Sequence, residues 1–322
     1  MLNLRLIAHV ISSLLLLEAI LLSSAFGVGL YYNETDYTTF GIPITVTILL
    51  AIILFRCGRK AVNKLGRRDG YLIISSTWII YSIIGMLPFL IGGSTSNVAH
   101  AFFETMSGFT TTGASIFTNI DALPHSILFW RSMTHWIGGM GIVFFTVAIL
   151  PTIGSGDQKL FSAESTGLKI GKLHPKISTT ARWMWSLYLI MTIACSTAYH
   201  LGGMDMFDAI NHAFSTVATG GFSTHQASMA YFNSPTIEYI SIAFMFLASI
   251  NFTLLYLFVI KFRFREVLKD AELRFFTSTV LLSTVRRSLP KRAIPSCSSF
   301  TPMRWYRQLR LSFPLCRILQ TC

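Results

Sequence analysis

The chain has 322 residues, of which 52% are apolar and only 12% charged; its mean hydropathy is +0.56 and its formal net charge +12. A soluble domain carries about 25% charged residues, so a water-dispersed globular protein is excluded and a chain solvated mainly by lipid is indicated. The basic excess calls for no nucleic-acid partner, because it falls in the connections between apolar segments and in the C-terminal tail.

A membrane helix needs roughly 20 mostly apolar residues. In chain order, six stretches are read as spans: Leu6–Leu30, Thr39–Phe55, Tyr71–Ile91, Ile127–Leu150, Trp183–Leu201 and Ile237–Ile260. The first is too long for a secretory signal and lacks a cleavage-site pattern, so it reads as a retained helix. Cytoplasmic loops are rich in Lys and Arg. The connection after the second span holds Arg56, Arg59, Lys60, Lys64, Arg67 and Arg68 against Asp69 alone. The connection after the fourth holds Lys159, Lys169, Lys172, Lys176 and Arg182, and Lys261, Arg263, Arg265 and Lys269 follow the sixth. The opposite connections carry acidic residues only, Glu34 and Asp36 in one and Asp205 and Asp208 in the other. Every even-numbered span is therefore expected to end in the cytoplasm, with both termini inside. The five cysteines show neither metal-ligand spacing nor an even framework, and no chemistry is assigned to them.

Two outer segments between paired spans are too short and too polar to cross. They are 97–115, containing Phe102-Phe-Glu-Thr-Met-Ser-Gly-Phe-Thr-Thr-Thr-Gly-Ala-Ser115, and 205–223, containing His212-Ala-Phe-Ser-Thr-Val-Ala-Thr-Gly-Gly-Phe-Ser223. Placing Thr112-Gly113 over Thr219-Gly220 aligns them at an offset of 107. Each opens with a helix cap (Asn97; Asp205 with Asp208 three residues on), runs through about three apolar-rich turns, and ends rich in Thr, Ser and Gly. Irregular backbone is tolerated at membrane depth only where protein buries it or it lines a wet cavity. A short helix entering from outside points its partly negative C-terminal end at the membrane centre, which favours a cation there. The returning Gly-rich stretch can then offer backbone carbonyls in place of a hydration shell. The competing reading is a pair of ordinary outer loops, or small residues serving close helix packing; their matching places between matching spans favour re-entrant pore loops. No nucleophile–base pair or phosphate loop appears, so no enzyme activity is expected.

At these residues the chain resembles the TrkH/KtrB superfamily of bacterial potassium uptake proteins, its TrkH branch in particular. The segments 102–115 and 212–223 look like that family's first two pore loops. Phe129-Trp-Arg-Ser-Met-Thr-His-Trp-Ile-Gly-Gly-Met-Gly-Ile142 and Phe244-Met-Phe-Leu-Ala-Ser-Ile-Asn-Phe252 are similar to the helices that follow them, and the two leading spans match the branch's extra hairpin. The resemblance implies that Gly113 and Gly220 are filter glycines, with Thr110, Thr111, Thr112, Val217, Ala218 and Thr219 as the carbonyl donors beside them. It also implies potassium as the transported species with no cofactor in this chain, and a homodimer in the bacterial cytoplasmic (inner) membrane. A cytoplasmic nucleotide-binding regulatory subunit, TrkA-like, is implied as partner. Family members carry four such units, whereas two are present here. After Phe276 the composition changes: 277–322 lacks a 20-residue apolar stretch, holds Arg286, Arg287, Lys291, Arg292, Arg304, Arg307, Arg310 and Arg317 with no acidic residue, and contains three of the five Cys. That shift reads as translation in a wrong frame after about residue 276; the competing reading is a basic tail for anionic lipid.

The expected fold is an all-α polytopic membrane protein of helix–pore-loop–helix repeats, six spans plus two re-entrant loops. Residues 1–69 form an N-terminal hairpin with its basic loop, 70–153 the first helix–loop–helix repeat, 154–181 a cytoplasmic linker suited to a regulatory subunit, 182–262 the second repeat and 263–322 the basic tail. The expected function is potassium uptake as a subunit of a Trk-type system. The alternatives are an inactive fragment short of two repeats, two copies pairing to complete a pore, or a non-transport membrane scaffold. Among the conspicuous side chains, Glu18 is expected to face the bundle near Ser12 or Ser13. Glu104 and Asn211, aligned at the 107 offset, either lend negative potential to a cavity or bond neighbouring backbone. Arg131 either snorkels or pairs within the bundle. His100, His135 and His212 are read as satisfied interfacial or packing residues, and Gly138, Gly139 and Gly141 as sites of close helix approach.

Overall fold

The computed structural model describes residues 3–34, 36–59, 67–149, 177–259 and 268–288. Every regular element among them is helical. The chain forms two compact bodies, 1–249 and 250–322.

In the larger body α1 (Leu4–Tyr31) and α2 (Thr38–Gly58) make an antiparallel hairpin. Asn3 caps α1 by accepting from the Leu6 amide at 3.2 Å, and its own N–H donates to Asp69 Oδ1 at 3.0 Å. Asp36 sets the start of α2: Oδ1 accepts from the Thr38 amide (3.1 Å) and hydroxyl (2.6 Å), and Oδ2 from the Thr39 hydroxyl (2.6 Å). At the other end of α2, a Cβ on Gly58 would lie 2.7 Å from the His9 Cβ, so glycine is what lets the two helices close. Glu34 joins this hairpin to the rest by accepting from the Ser126 amide and hydroxyl, while His125 stacks on Tyr32 with ring centroids 4.0 Å apart.

The third predicted span is α3 (Arg67–Gly85) followed, after a break at Met86, by the short α4 (Leu87–Ile91). Pro88 in the first turn of α4 cannot donate back into α3, which ends one helix and starts the next. Three helical stretches are long and apolar enough to cross a membrane among the described residues: Leu4–Tyr31, Thr38–Gly58 and Arg68–Ile91. The long helices α6 (His125–Ile149) and α7 (Ile177–Leu201) have 25 residues each; α7 makes about 37 Å of helix at 1.5 Å per residue, whereas α6 is interrupted at Gly141. Two 12-residue helices flank them in the chain, α5 (Val98–Phe109) before α6 and α8 (Met206–Val217) after α7.

The sixth span departs from expectation. Instead of one helix over 237–260, α9 (Pro235–Ala248) stops and α10 (Phe252–Val259) begins after Ser249-Ile250-Asn251. Ser and Asn offer the backbone side-chain alternatives to the helical ladder, and the Ser249 hydroxyl does turn back to the Met245 carbonyl at 2.8 Å. In the smaller body, α11 (Ala271–Ser288) follows α10, its first turn closed by the Leu273 amide on Asp270 Oδ1 at 3.0 Å. The predicted linker 154–181 lies outside the described residues up to 176, as does the tail beyond 288.

Helix contacts in the larger body use polar handles from aromatic side chains. Trp130 Nε1 donates to the Gly85 carbonyl at 2.9 Å, Tyr81 to the Leu14 carbonyl at 2.5 Å, and Tyr188 to the Trp136 carbonyl at 2.9 Å. In lipid, where tails are as apolar as Leu, such bonds and close packing replace the hydrophobic effect as the source of association. The expectation for Glu18 is half met. It is fully buried in the bundle, but Ser12 and Ser13 donate to the His9 carbonyl, and neither Glu18 oxygen has a hydrogen-bond partner among the described residues.

Candidate ion-conducting loops

The two short helices begin and end alike. Asn97 caps α5 by accepting from the Ala99 and His100 amides (2.9 and 3.3 Å), and Asp205 caps α8 by accepting from the Phe207 amide (3.1 Å). At about 1.5 Å per residue each reaches ~18 Å, over half the ~30 Å hydrocarbon thickness. Each ends in the same hydrogen-bonded reversal. The Thr111 and Thr112 amides return to the Gly108 and Ser107 carbonyls, both at 2.9 Å; the Thr219 and Gly220 amides return to Thr216 and Ser215 at 3.0 and 2.9 Å. Both reversals carry a left-handed residue, Thr111 (φ 52°) and Thr219 (φ 55°), and a glycine of positive φ two positions on, Gly113 (φ 70°) and Gly221 (φ 96°).

These correspondences run at an offset of 108, one more than the sequence alignment gave: Asn97 pairs with Asp205, Thr111 with Thr219, Gly113 with Gly221 and Ser115 with Ser223. Three expectations change. Val217 is the last residue of α8, equivalent to Phe109, and so stands outside the returning segment. Gly220 corresponds to Thr112, and the glycine matching Gly113 is Gly221, which sequence reasoning passed over. The partner of Glu104 is His212 rather than Asn211. The contacts agree: Ser115 Oγ donates to Glu104 Oε1 at 3.0 Å, and Ser223 Oγ lies 2.9 Å from His212 Nε2. The two caps and the two trailing serines are the signals that fix this register. Matching the Thr-Gly dipeptides overrides them.

The loops are wedged against α6 through missing side chains. A Cβ on Gly138 would run into the Phe109 carbonyl, and one on Gly139 would sit 2.7 Å from the Ala218 Cβ, so these two glycines serve close approach as expected. A Cβ on Gly220 would strike the His135 ring, which stacks on Phe222 with centroids 3.9 Å apart. Gly141 differs. With φ 68° and ψ 132° it breaks α6, so its freedom is conformational.

Behind the loops, Glu104 and Arg131 form a fully buried pair, Nε to Oε1 at 2.9 Å. Glu104 Oε2 also accepts from the Ile116 amide at 2.8 Å, and Arg131 Nη2 lies 3.2 Å from Ser115 Oγ. Glu104 is thus occupied by its neighbours and by a cation, which favours the backbone-bonding alternative over a free negative potential. Asn211 Nδ2 donates to the Phe207 carbonyl at 2.8 Å. Arg131 pairs rather than snorkels. Beside the loops, His225 bridges the two repeats, with Nδ1 3.0 Å from Asp121 Oδ1 and Nε2 3.0 Å from Asp208 Oδ2. His135 and His212 are buried in packing roles, whereas His100 is exposed. The described residues hold no cluster of three or more His, Cys, Asp or Glu that would bind a metal ion.

The family model TrkH, described as a cation transport protein, matches residues 41–286. The chain belongs to the TrkH family. That match runs from within α2 into α11, past the composition break at 276. The Trk system potassium uptake protein TrkH of Halomonas elongata is 38% identical over 275 residues, covering 85% of this chain and 57% of that protein. Its counterpart in Escherichia coli K12 is 41% identical over 251 residues, covering 77% and 52%. Among solved structures, the potassium transporter TrkH from Vibrio parahaemolyticus superposes with a TM-score of 0.73 at 38% identity, over 87% of this chain and 58% of that one. This TrkH-family chain therefore spans a little over half the length of the relatives it matches, and it is an integral membrane protein whose described regular elements are all helices.

Proposed function

We propose that this chain contributes two filter segments, Thr110–Gly113 and Ala218–Gly221, to a potassium-uptake path across the bacterial inner membrane. The observation that carries the reading is the duplicated reversal: two short helices, each followed by a left-handed threonine and a positive-φ glycine at one repeat spacing. Successive carbonyls on such a segment can be turned toward a common axis, where they replace the water around a cation. The C-terminal ends of α5 and α8 add partial negative charge at that place. With Glu104 neutralised by Arg131, carbonyls and helix ends rather than carboxylates supply the attraction, which suits a weakly hydrated monovalent ion that must leave again.

In this reading both termini are cytoplasmic, as the basic connections indicate. The chain works in a dimeric Trk-type assembly with a TrkA-like nucleotide-binding subunit against the 154–181 linker. Uptake of radioactive rubidium in a potassium-uptake-deficient bacterium tests the reading; uptake no greater than that of empty vector contradicts it. A second reading, that the 322-residue chain does not conduct by itself, is favoured by one observation: the described residues hold two such segments, and a closed carbonyl ring in the family pattern uses four. Co-expression with a separate chain carrying two further repeats distinguishes the readings, because only the second predicts uptake that depends on the added chain.

A further inference from the structure

We propose that Arg131, which neutralises Glu104 beside the first loop, is a positioning residue for the second, so that the second loop takes its place from the first repeat. The residue matching Glu104 is His212, and α9, the helix that follows the second loop, contains no arginine or lysine. The second repeat thus has no buried glutamate–arginine pair at the matching places. Its returning segment is held instead by His212 on the Ser223 hydroxyl (2.9 Å) and by Arg131 Nη1, which donates to the Ser223 carbonyl at 3.2 Å. The guanidinium carbon also lies 4.4 Å from the Phe222 ring centroid, close enough for a cation–π contact. One planar group with five donors faces three directions, to Glu104, to Ser115 and to Ser223. A lysine, a single point charge, cannot reproduce that fork. Gly221 is two residues from Ser223, so on the filter reading Arg131 sets the aim of the second loop's carbonyls without touching an ion.

Hydrogen–deuterium exchange on the purified full chain in detergent tests this, read over peptides covering 110–117 and 218–225. Arg131→Met is expected to raise exchange in both. The decisive protein is the double variant Glu104→Gln/Arg131→Met, in which no buried charge is left unpaired and the introduced amide oxygen can still accept from the Ile116 amide. Loop one should return to near wild-type protection, while loop two, including the Gly221 amide bonded to Ser215 Oγ, should exchange at least about tenfold faster. If Arg131 merely neutralises Glu104, the double variant restores both loops, and that result overturns the proposal. Repeating the exchange in potassium and in sodium bears on the filter reading separately: loops that depend on Arg131 but gain no protection from potassium count against the filter and leave the positioning role standing.

Discussion

Thr111 and Thr219 hold φ near +50°, a conformation that a β-branched side chain adopts at a cost of roughly 1–2 kcal/mol. Such strain persists only where surroundings over-determine it, and its recurrence at matched places is a mark of function. Thr219→Gly is expected to raise stability in detergent by about 0.5–1 kcal/mol in thermal unfolding, since glycine relieves the strain; a loss of stability would contradict the assignment. Gly221→Ala should cost about 1–2 kcal/mol, and Gly220→Ala a comparable amount by a different route, the collision with His135. The buried Glu104–Arg131 pair gives the largest single effect. Arg131→Met alone should destabilise by about 3–5 kcal/mol because it strands a carboxylate, and adding Glu104→Gln should recover much of that.

Among the helices, lengths were largely legible because a bilayer dictates them, and the caps Asn97 and Asp205 read directly from residue type. What escaped were features set by backbone sign and distant contact. The Gly220-Gly221 dipeptide by itself does not distinguish Gly220, needed for the absent side chain beside His135, from Gly221, needed for its positive φ; the spacing from cap to trailing serine does. The 107 alignment chose wrongly between them. The breaks at Gly141 and at Ser249–Asn251 were hidden inside apolar runs that satisfy any hydropathy window. Asp36 illustrates a cap with a pH signature. The hydroxyls of Thr38 and Thr39 hold its carboxyl below the ordinary carboxylate range, so its contribution to the α1–α2 turn is fully present above the unfolded value and disappears as pH falls through the folded one. Asp36→Asn should therefore melt below wild type near neutral pH, with the two curves converging as pH falls, so that the variant's acid limb is shallower; identical melting temperatures near neutral pH would show that the Asp36 carboxylate does not set this turn.

Over the full chain, the sequence carried the family and the membrane architecture because both rest on long apolar stretches and two motif-bearing loops. It did not carry the joint between the repeats. Arg131 meets Ser223 across 92 residues of chain, and His225 meets Asp121 across 104. The composition break at 276 and the end of the family match at 286 bracket the point where the chain ceases to resemble its relatives. Conduction of potassium past the segments 110–113 and 218–221 is decided by rubidium uptake into a potassium-uptake-deficient bacterium. The expected result is uptake above empty vector that potassium competes away and that Gly113→Asp or Gly221→Asp abolishes in protein still present in the membrane. Uptake no greater than vector both alone and with a co-expressed chain carrying two further repeats, or uptake indifferent to both substitutions, would contradict a filter at these segments.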